Sequence, residues 1–301
     1  MKLVKLVGIV SVSGLVLVAG CGKPKAAKTP DKVVTQIAKA VQNNQPEVIF
    51  QALPASSQKD INSVVSEAAK KMDAELWNAG HDLMKNVVKV AGKQKKLLLQ
   101  SKMLANNPQK DEISKDWDNA IKSISTLLDS DFTNIKKLRN ADMAKMLATS
   151  GAAIMKQATA VKSNSEVSET LAKLKSIKAT MVSQDGDSAK VKIEAEGEEA
   201  EEIDFVKIED KWIPKEIADS FAAKVKAARE NIAKIDFNSP DGKKMKEMVM
   251  KQIKVADDML KTAEKAKTKE ELDGILMGMM MQIMMSSQGA AGTTAPPVPA
   301  P

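Results

Sequence analysis

Apolar positions recur every three or four residues through most of this chain and switch to strict alternation in one short region. The first helical run is Val33, Val34, Ile37, Ala38 and Val41, opened by Thr29-Pro30 and closed by Asn43-Asn44, a capped amphipathic pattern. Val48, Ile49, Ala52 and Leu53 predict a short helix between Pro46 and Pro54. Ser57 with Asp60 opens a longer one carrying Ile61, Val64, Val65, Ala68 and Met72. Gly80 is its candidate interruption, after which Leu83, Val87 and Val88 resume. Ile113, Trp117, Ile121, Ile124 and Leu128 mark a further helix, and helical spacing returns over 131–162 and 166–175.

The period then drops to two. Ile177, Ala179 and Met181 alternate with Lys178 and Thr180. Ala189, Val191, Ile193 and Ala195 alternate with Ser188, Lys190, Lys192 and Glu194, the pattern of half-buried strands. Asp185-Gly186 signals the hairpin turn between them. Ile203 and Phe205 lie on a third strand, and Glu209-Asp210-Lys211 turns the chain into a fourth at Trp212-Ile213. Phe205 and Trp212 are expected in the core, under the helices that must cover the dry face. Helical spacing resumes with Ile217, Phe221, Val225 and Ile232. Ser239-Pro240-Asp241 starts the next helix, and Thr268 with Glu271 forms a capping-box pattern for the last. The elements define an α+β fold, mostly helical. It has a small antiparallel meander at about residues 177–216, packed by helices, and a C-terminal helical hairpin.

The N-terminus carries a different signal. Lys2 and Lys5 precede the apolar run Leu6 to Val18, which ends at Val18-Ala19-Gly20-Cys21. A positive start, a short apolar stretch and small residues fit an exported leader, and the run is shorter than the ~20 apolar residues of a membrane span. The stretch resembles the lipobox of bacterial lipoproteins. That resemblance implies cleavage before Cys21 and lipid on its thiol, with more than one acyl chain giving a stable anchor. It also implies a cell-envelope location. Gly22, where aspartate favours inner-membrane retention in enteric bacteria, favours the outer membrane facing the periplasm over the inner. Cys21 is the only cysteine, so no disulfide forms within the chain. The expected organisation is a signal peptide at 1–20 and a lipidated tether at 21–28. An α+β domain with a long helical insertion follows at 29–235, then a Met-rich helical hairpin at 239–285 and a disordered Pro/Ala/Gly/Thr tail at 286–301.

Two further stretches resemble the nuclear transport factor two-like superfamily in its small bacterial lipoprotein branch. "PDKVVTQIAKAVQNNQPEVIFQALPAS" resembles that fold's opening helices, and "AKVKIEAEGEEAEEIDFVKIEDKWIPKEI" its closing meander. The resemblance implies a pocket over a curved sheet. Enzymes of the superfamily place His, Asp or Tyr there. This chain has one histidine and no tyrosine, so no catalytic residue carries over.

Composition narrows the chemistry. Hydrophobic residues make up 43% and aromatics 3%, a palette of Ala, Val, Ile, Leu and Met that suits helices. The formal charge of +7 is mixed along the chain. Without a basic stripe and stacking aromatics, nucleic acid is not an expected partner. His81 cannot form a histidine metal cluster and reads as a surface residue on a polar helical segment. No nucleophile elbow or phosphate-binding glycine loop occurs. Glu194, Glu196, Glu198, Glu199, Glu201, Glu202 and Asp204 lack a calcium-loop pattern. They read as a charged hairpin that discourages edge pairing, partly neutralised by Lys190 and Lys192.

The stretch "GILMGMMMQIMM" at 274–285 holds Met277, Met279, Met280, Met281, Met284 and Met285. Thioethers are soft ligands for Cu(I), which makes these six the candidate metal residues. Helical spacing gives a plainer reading: Leu272, Ile275, Leu276, Met279, Met280, Ile283 and Met284 form a packing stripe. Met277, Met281 and Met285 then form an extra column that one-sided packing does not require. At ~18 Å the twelve residues cannot cross a ~30 Å bilayer core. The expected function is a lipid-anchored, non-enzymatic binding or interaction module of the envelope. It needs no cofactor, and its contacts are the membrane through Cys21 and an envelope protein. The alternatives are a carrier of a small apolar ligand over the sheet and a Cu(I)-handling protein.

Overall fold

The structure is a computed structural model that describes residues 27–105, 107–160 and 165–289, excluding the side chains of 103, 165–168 and 283–289. In chain order the helices before the sheet include α1 (Pro30–Gln42), α2 (Glu47–Ala52), α3 (Ala55–Lys71), α4 (Ala74–Lys93), α5 (Lys95–Gln100), α6 (Lys110–Leu128) and α7 (Ser165–Ser176). Four strands follow: β1 (Lys178–Asp185), β2 (Ser188–Glu194), β3 (Glu201–Ile208) and β4 (Lys211–Pro214). The chain ends in α8 (Lys215–Ala233), α9 (Pro240–Ala263) and α10 (Lys269–Gly289). The fold is α+β, mostly helical, with one antiparallel sheet in the order β1-β2-β3-β4.

The chain divides into two compact units. The first combines residues up to Asp73 with Asp129–Asp236, and the second combines Ala74–Leu128 with Phe237 onward. The units change at Asp236, within the expected division at 235–239, and again after Asp73 and after Leu128, inside the expected domain at 29–235. The helical insertion and the C-terminal hairpin, far apart in sequence, share one core. It joins Val90 of α4 to Leu260 and Ala263 of α9 and Leu272 of α10.

In the first unit the strand alternation does what its period requires. Val191 and Ile193 are fully buried, with Ala189, Ala195, Phe205 and Trp212, and α1 covers them with Val33 and Val34. Further along the same side of α1, Ala38 and Val41 pack against Leu174 of α7. The Trp212 indole N–H donates to the Lys28 carbonyl at 3.1 Å, and Ala27 packs on the same core. The last two residues of the expected tether, 21–28, are thus held by the sheet. The first hairpin turns one residue later than the sequence signal: Asp185 still pairs with Ser188, and Gly186 takes the positive φ of 54° at the first turn position, where such turns call for glycine. The register shifts between Met181 and Ser183, which leaves Val182 as an exposed bulge residue.

The β3–β4 turn also fastens the unit. Glu209 and Asp210 both adopt positive φ, 49° and 61°, the geometry of a tight two-residue hairpin loop. This aims the Glu209 carboxylate at the start of α3, where Pro54 offers no side-chain cap. The Ser56 N–H donates to Glu209 Oε2 at 3.0 Å. The Ser56 hydroxyl, with the Ser56 and Ala55 N–H groups, holds the Glu209 carboxyl below its ordinary value. A depressed carboxylate stabilises the fold above the unfolded value, and that contribution is lost as pH falls through the depressed one. Glu209→Gln is therefore expected to flatten the loss of thermal stability between neutral pH and about pH 3. Parallel melting-temperature curves for the two proteins would remove the cap from this account. The other end of α3 is closed by Arg139, whose guanidinium donates to the Ala69 and Met72 carbonyls, both at 3.1 Å.

That closure marks a second departure. The helix begun near Ser57 stops at Lys71, not at Gly80, and α4 runs unbroken through Gly80. Met72-Asp73 is also where the chain passes between units, and Asp73 sits at the favoured N-cap position of α4. A Cβ at Gly80 would meet nothing within 4 Å. Gly80→Ala is expected to raise stability by about 0.5–1 kcal/mol in a urea titration. A loss of stability would show that the glycine serves a purpose not seen in its surroundings.

In the second unit α4 is gripped by both neighbours. The Trp117 indole of α6 donates to the Ala91 carbonyl at 3.2 Å. Glu75–Lys246, Asn86–Asp257 and Lys93–Glu264 bridge α4 and α9, each pair 171 residues apart, so the two helices run parallel in a fixed register. At its end the buried Gln94 amide donates to the carbonyls of Ala263, Glu264 and Ala266 at 2.9–3.1 Å. It satisfies carbonyls at and just beyond the C-terminal end of α9, where partners within the helix run out.

Candidate functional surface

The start of α10 is set by a capping box. The Glu271 N–H donates to Thr268 Oγ1 at 3.2 Å, and the Glu271 carboxylate accepts from the Thr268 and Lys267 N–H groups. Ser239 caps α9 in the same way, accepting from the Gly242 N–H at 3.1 Å. Two capped helices joined by a short loop form the hairpin the sequence anticipates. On their shared side Leu272 is fully buried against Leu260, Ala263 and Val90, with Ile275, Leu276 and Met279 packed around it. A Cβ at Gly278 would lie 3.3 Å from Met259 Cε, so the Met259 side chain of α9 packs over α10 at this glycine.

The methionines divide between two sides of α10. Met279 is packed, whereas Met277 and Met281 are 62% and 59% exposed. Met277 lies about 200° round the helix from Met279, so Met277 and Met281 of the extra column face outward. Met280 departs from the reading that put it in the packing stripe: it is 50% exposed. The packed arc is narrower than the apolar arc, centred on Leu272 and Met279, and Met280 lies about 100° beyond Met279. Met284 and Met285, and Ile283 of the expected stripe, have side chains outside the described residues. The six candidate copper ligands thus do not share one side, since Met279 points inward. The helix also runs on to Gly289, past the expected start of the tail at 286, because Ser286, Ser287 and Gln288 include no helix breaker.

The other candidates are placed as follows. Cys21, the leader and the rest of the tail lie outside the described residues. His81 is not a free surface group: its side chain is 21% exposed and its Nε2 lies 2.7 Å from the Leu128 carbonyl, at the C-terminus of α6. Nε2 carries the proton in that contact, since a carbonyl only accepts. The acidic residues follow the strand register. Lys190 faces Asp204 and Lys192 faces Glu202, with Lys190 within 3.5 Å of Glu202 and 3.7 Å of Asp204. β4 pairs only with Phe205–Ile208, so Glu201–Asp204 form an edge of β3 on that side, where charge discourages further strand addition. Among the described residues no group of three or more His, Cys, Asp or Glu side chains is placed to hold a metal ion. No described helix is long and apolar enough to cross a membrane.

The outward column was legible as excess apolar arc. The Gln94, Arg139 and Glu209 anchors were not, because a side chain reaching a distant helix end leaves no local periodicity. Comparison with protein-family models, curated proteins and solved structures finds no match to this chain.

Proposed function

We propose that this protein is a lipid-anchored envelope lipoprotein that works by binding rather than by catalysis, with the outer face of the α9–α10 hairpin as its contact surface. One observation carries the reading: Met277, Met280 and Met281 stand exposed on a helix whose opposite side already fills its core. Flexible, polarisable methionines suit an adaptable contact. The leader and the small residues before Cys21 support the anchor, with Cys21 as the lipidation site and the outer membrane, facing the periplasm, as its location.

Two experiments test the two halves. Cys21→Ser should release the protein from the membrane fraction, and a variant that still sediments with membranes would sink the anchor. A photo-crosslinking residue at position 281 should yield adducts in the envelope, and these should disappear when Met277 and Met280 become serine. Unchanged adducts, or none, would count against the hairpin as the contact surface.

The apolar-ligand carrier would require α1 to leave the sheet, because Val33 and Val34 occupy the place a ligand would take. Among the described side chains, a Cu(I) role would have to rest on Met277, Met280 and Met281 without Met279.

A further inference from the structure

The exposed methionines do not stand alone. Residues 274–289 of α10 contain no charged side chain, whereas Lys243, Lys244, Lys246, Lys251 and Lys254 lie in the first two thirds of α9, with Glu247 the carboxylate between them. Of these, Lys246 is drawn to Glu75 at 2.7 Å, and the other four are exposed. Met245, Met248, Val255 and Met259 lie within about 80° of one another on α9, and Met259 borders Gly278, so this side of α9 flanks α10. Met245 and Met248 are close to half exposed.

Helix geometry fixes which way these groups look. Lys251 is nine residues from Leu260, about 180° round α9, and Met281 is nine residues from Leu272, about 180° round α10. Leu260 and Leu272 meet in one core, so Lys251 and Met281 both face directly away from it. Lys244 and Met248 lie within about 60° of Lys251. In an antiparallel hairpin that brings Leu272 to Leu260 and Ala263, Met281 is about level with Lys251 and Lys254. The unit therefore presents an apolar strip of methionine bordered by the ammonium groups of Lys244 and Lys251, with Glu247 and Asp258 between Lys251 and Lys254 round the helix.

We infer that this strip seats on an anionic lipid surface, the methionines entering the acyl boundary and Lys244, Lys251 and Lys254 meeting the headgroups. The inference rests on the proposed role of the hairpin as a contact surface and names what it contacts. Lipid suits the arrangement because an interfacial helix needs an apolar side together with flanking lysines. A second copy suits it less, since the lysines of two hairpins would face one another. A hairpin whose helices are unable to span a bilayer can lie on one.

The test uses the chain from residue 22 onward, which lacks the leader and the cysteine and keeps every described residue. It should co-sediment with vesicles of phosphatidylcholine mixed with phosphatidylglycerol, and much less with phosphatidylcholine alone. Changing Lys244, Lys251 and Lys254 to glutamine should weaken binding roughly fivefold per lysine, about a hundredfold together. Met277→Ser with Met281→Ser should also weaken it, and circular dichroism should show unchanged helix content for all variants. Equal binding to both vesicle types, or full binding by the triple lysine variant, overturns the inference. Absence of vesicle binding alongside crosslinks from position 281 to an envelope protein overturns the lipid assignment and leaves the contact-surface reading standing. Absence of both overturns both.

Discussion

Phe205→Ala is expected to cost about 3–5 kcal/mol of stability. The ring is 2% exposed on β3, opposite Ala189 in the register, with Val191, Ile193 and Trp212 in the same cluster. Truncation removes its transfer energy and leaves a cavity under α1 that small neighbours such as Ala189 do not fill. Trp212 lies in that cluster, so its fluorescence through a urea titration reports the loss directly. Glu202→Ala, on the wet face of the same strand, is expected to stay within about 0.5 kcal/mol. Similar losses for the two variants would mean that β3 is not oriented as described.

The second large effect separates the two sides of α10. Leu272→Ala is expected to cost about 2–5 kcal/mol, because the side chain is fully enclosed by Val90, Leu260 and Ala263. Met277→Ala, five residues on, is expected to change stability by about 0.5 kcal/mol or less, since its side chain is 62% exposed. The pair is read by chemical denaturation of otherwise identical chains. A Met277 variant as damaged as the Leu272 variant would place the outward column inside the core. The contact surface and its lipid assignment would then both fall.

The strands were the most legible part of this chain, because a period of two admits one dry face and β2 obeys it residue by residue. The N-cap at Ser239 and the capping box at Thr268 were legible for a similar reason, since both are patterns of neighbours. What failed to show was any choice between two acceptable local answers. Gly80 weakens a helix without ending it, and the true break at Met72-Asp73 depends on Arg139, some seventy residues away in the chain. Met280 had the right spacing for packing, but only the positions of α9 and α5 decide how wide the packed arc is. The grouping of α4 with α9 rests on pairs such as Asn86–Asp257, which no window of sequence brings together. The candidate surface was half legible: the excess methionines announced it, while the lysines beside them gained meaning only when the hairpin fixed their direction.

The interleaving of the two units has a consequence for assembly in time. Asn86 and Gln94 are made early, and their partners on and just after α9 follow 169–172 residues later. At ~5–20 residues per second that is roughly ten to thirty seconds of synthesis. Through that interval α4 and α6 have each other but neither α9 nor α10, and Val90 has no Leu272 to cover it. A chain interrupted after Asp236 would carry all four strands and every helix of the first unit, yet only half of the second. Premature termination or clipping in the last quarter of this protein therefore strands apolar helices in its middle, which gives proteases and chaperones a target far from the break.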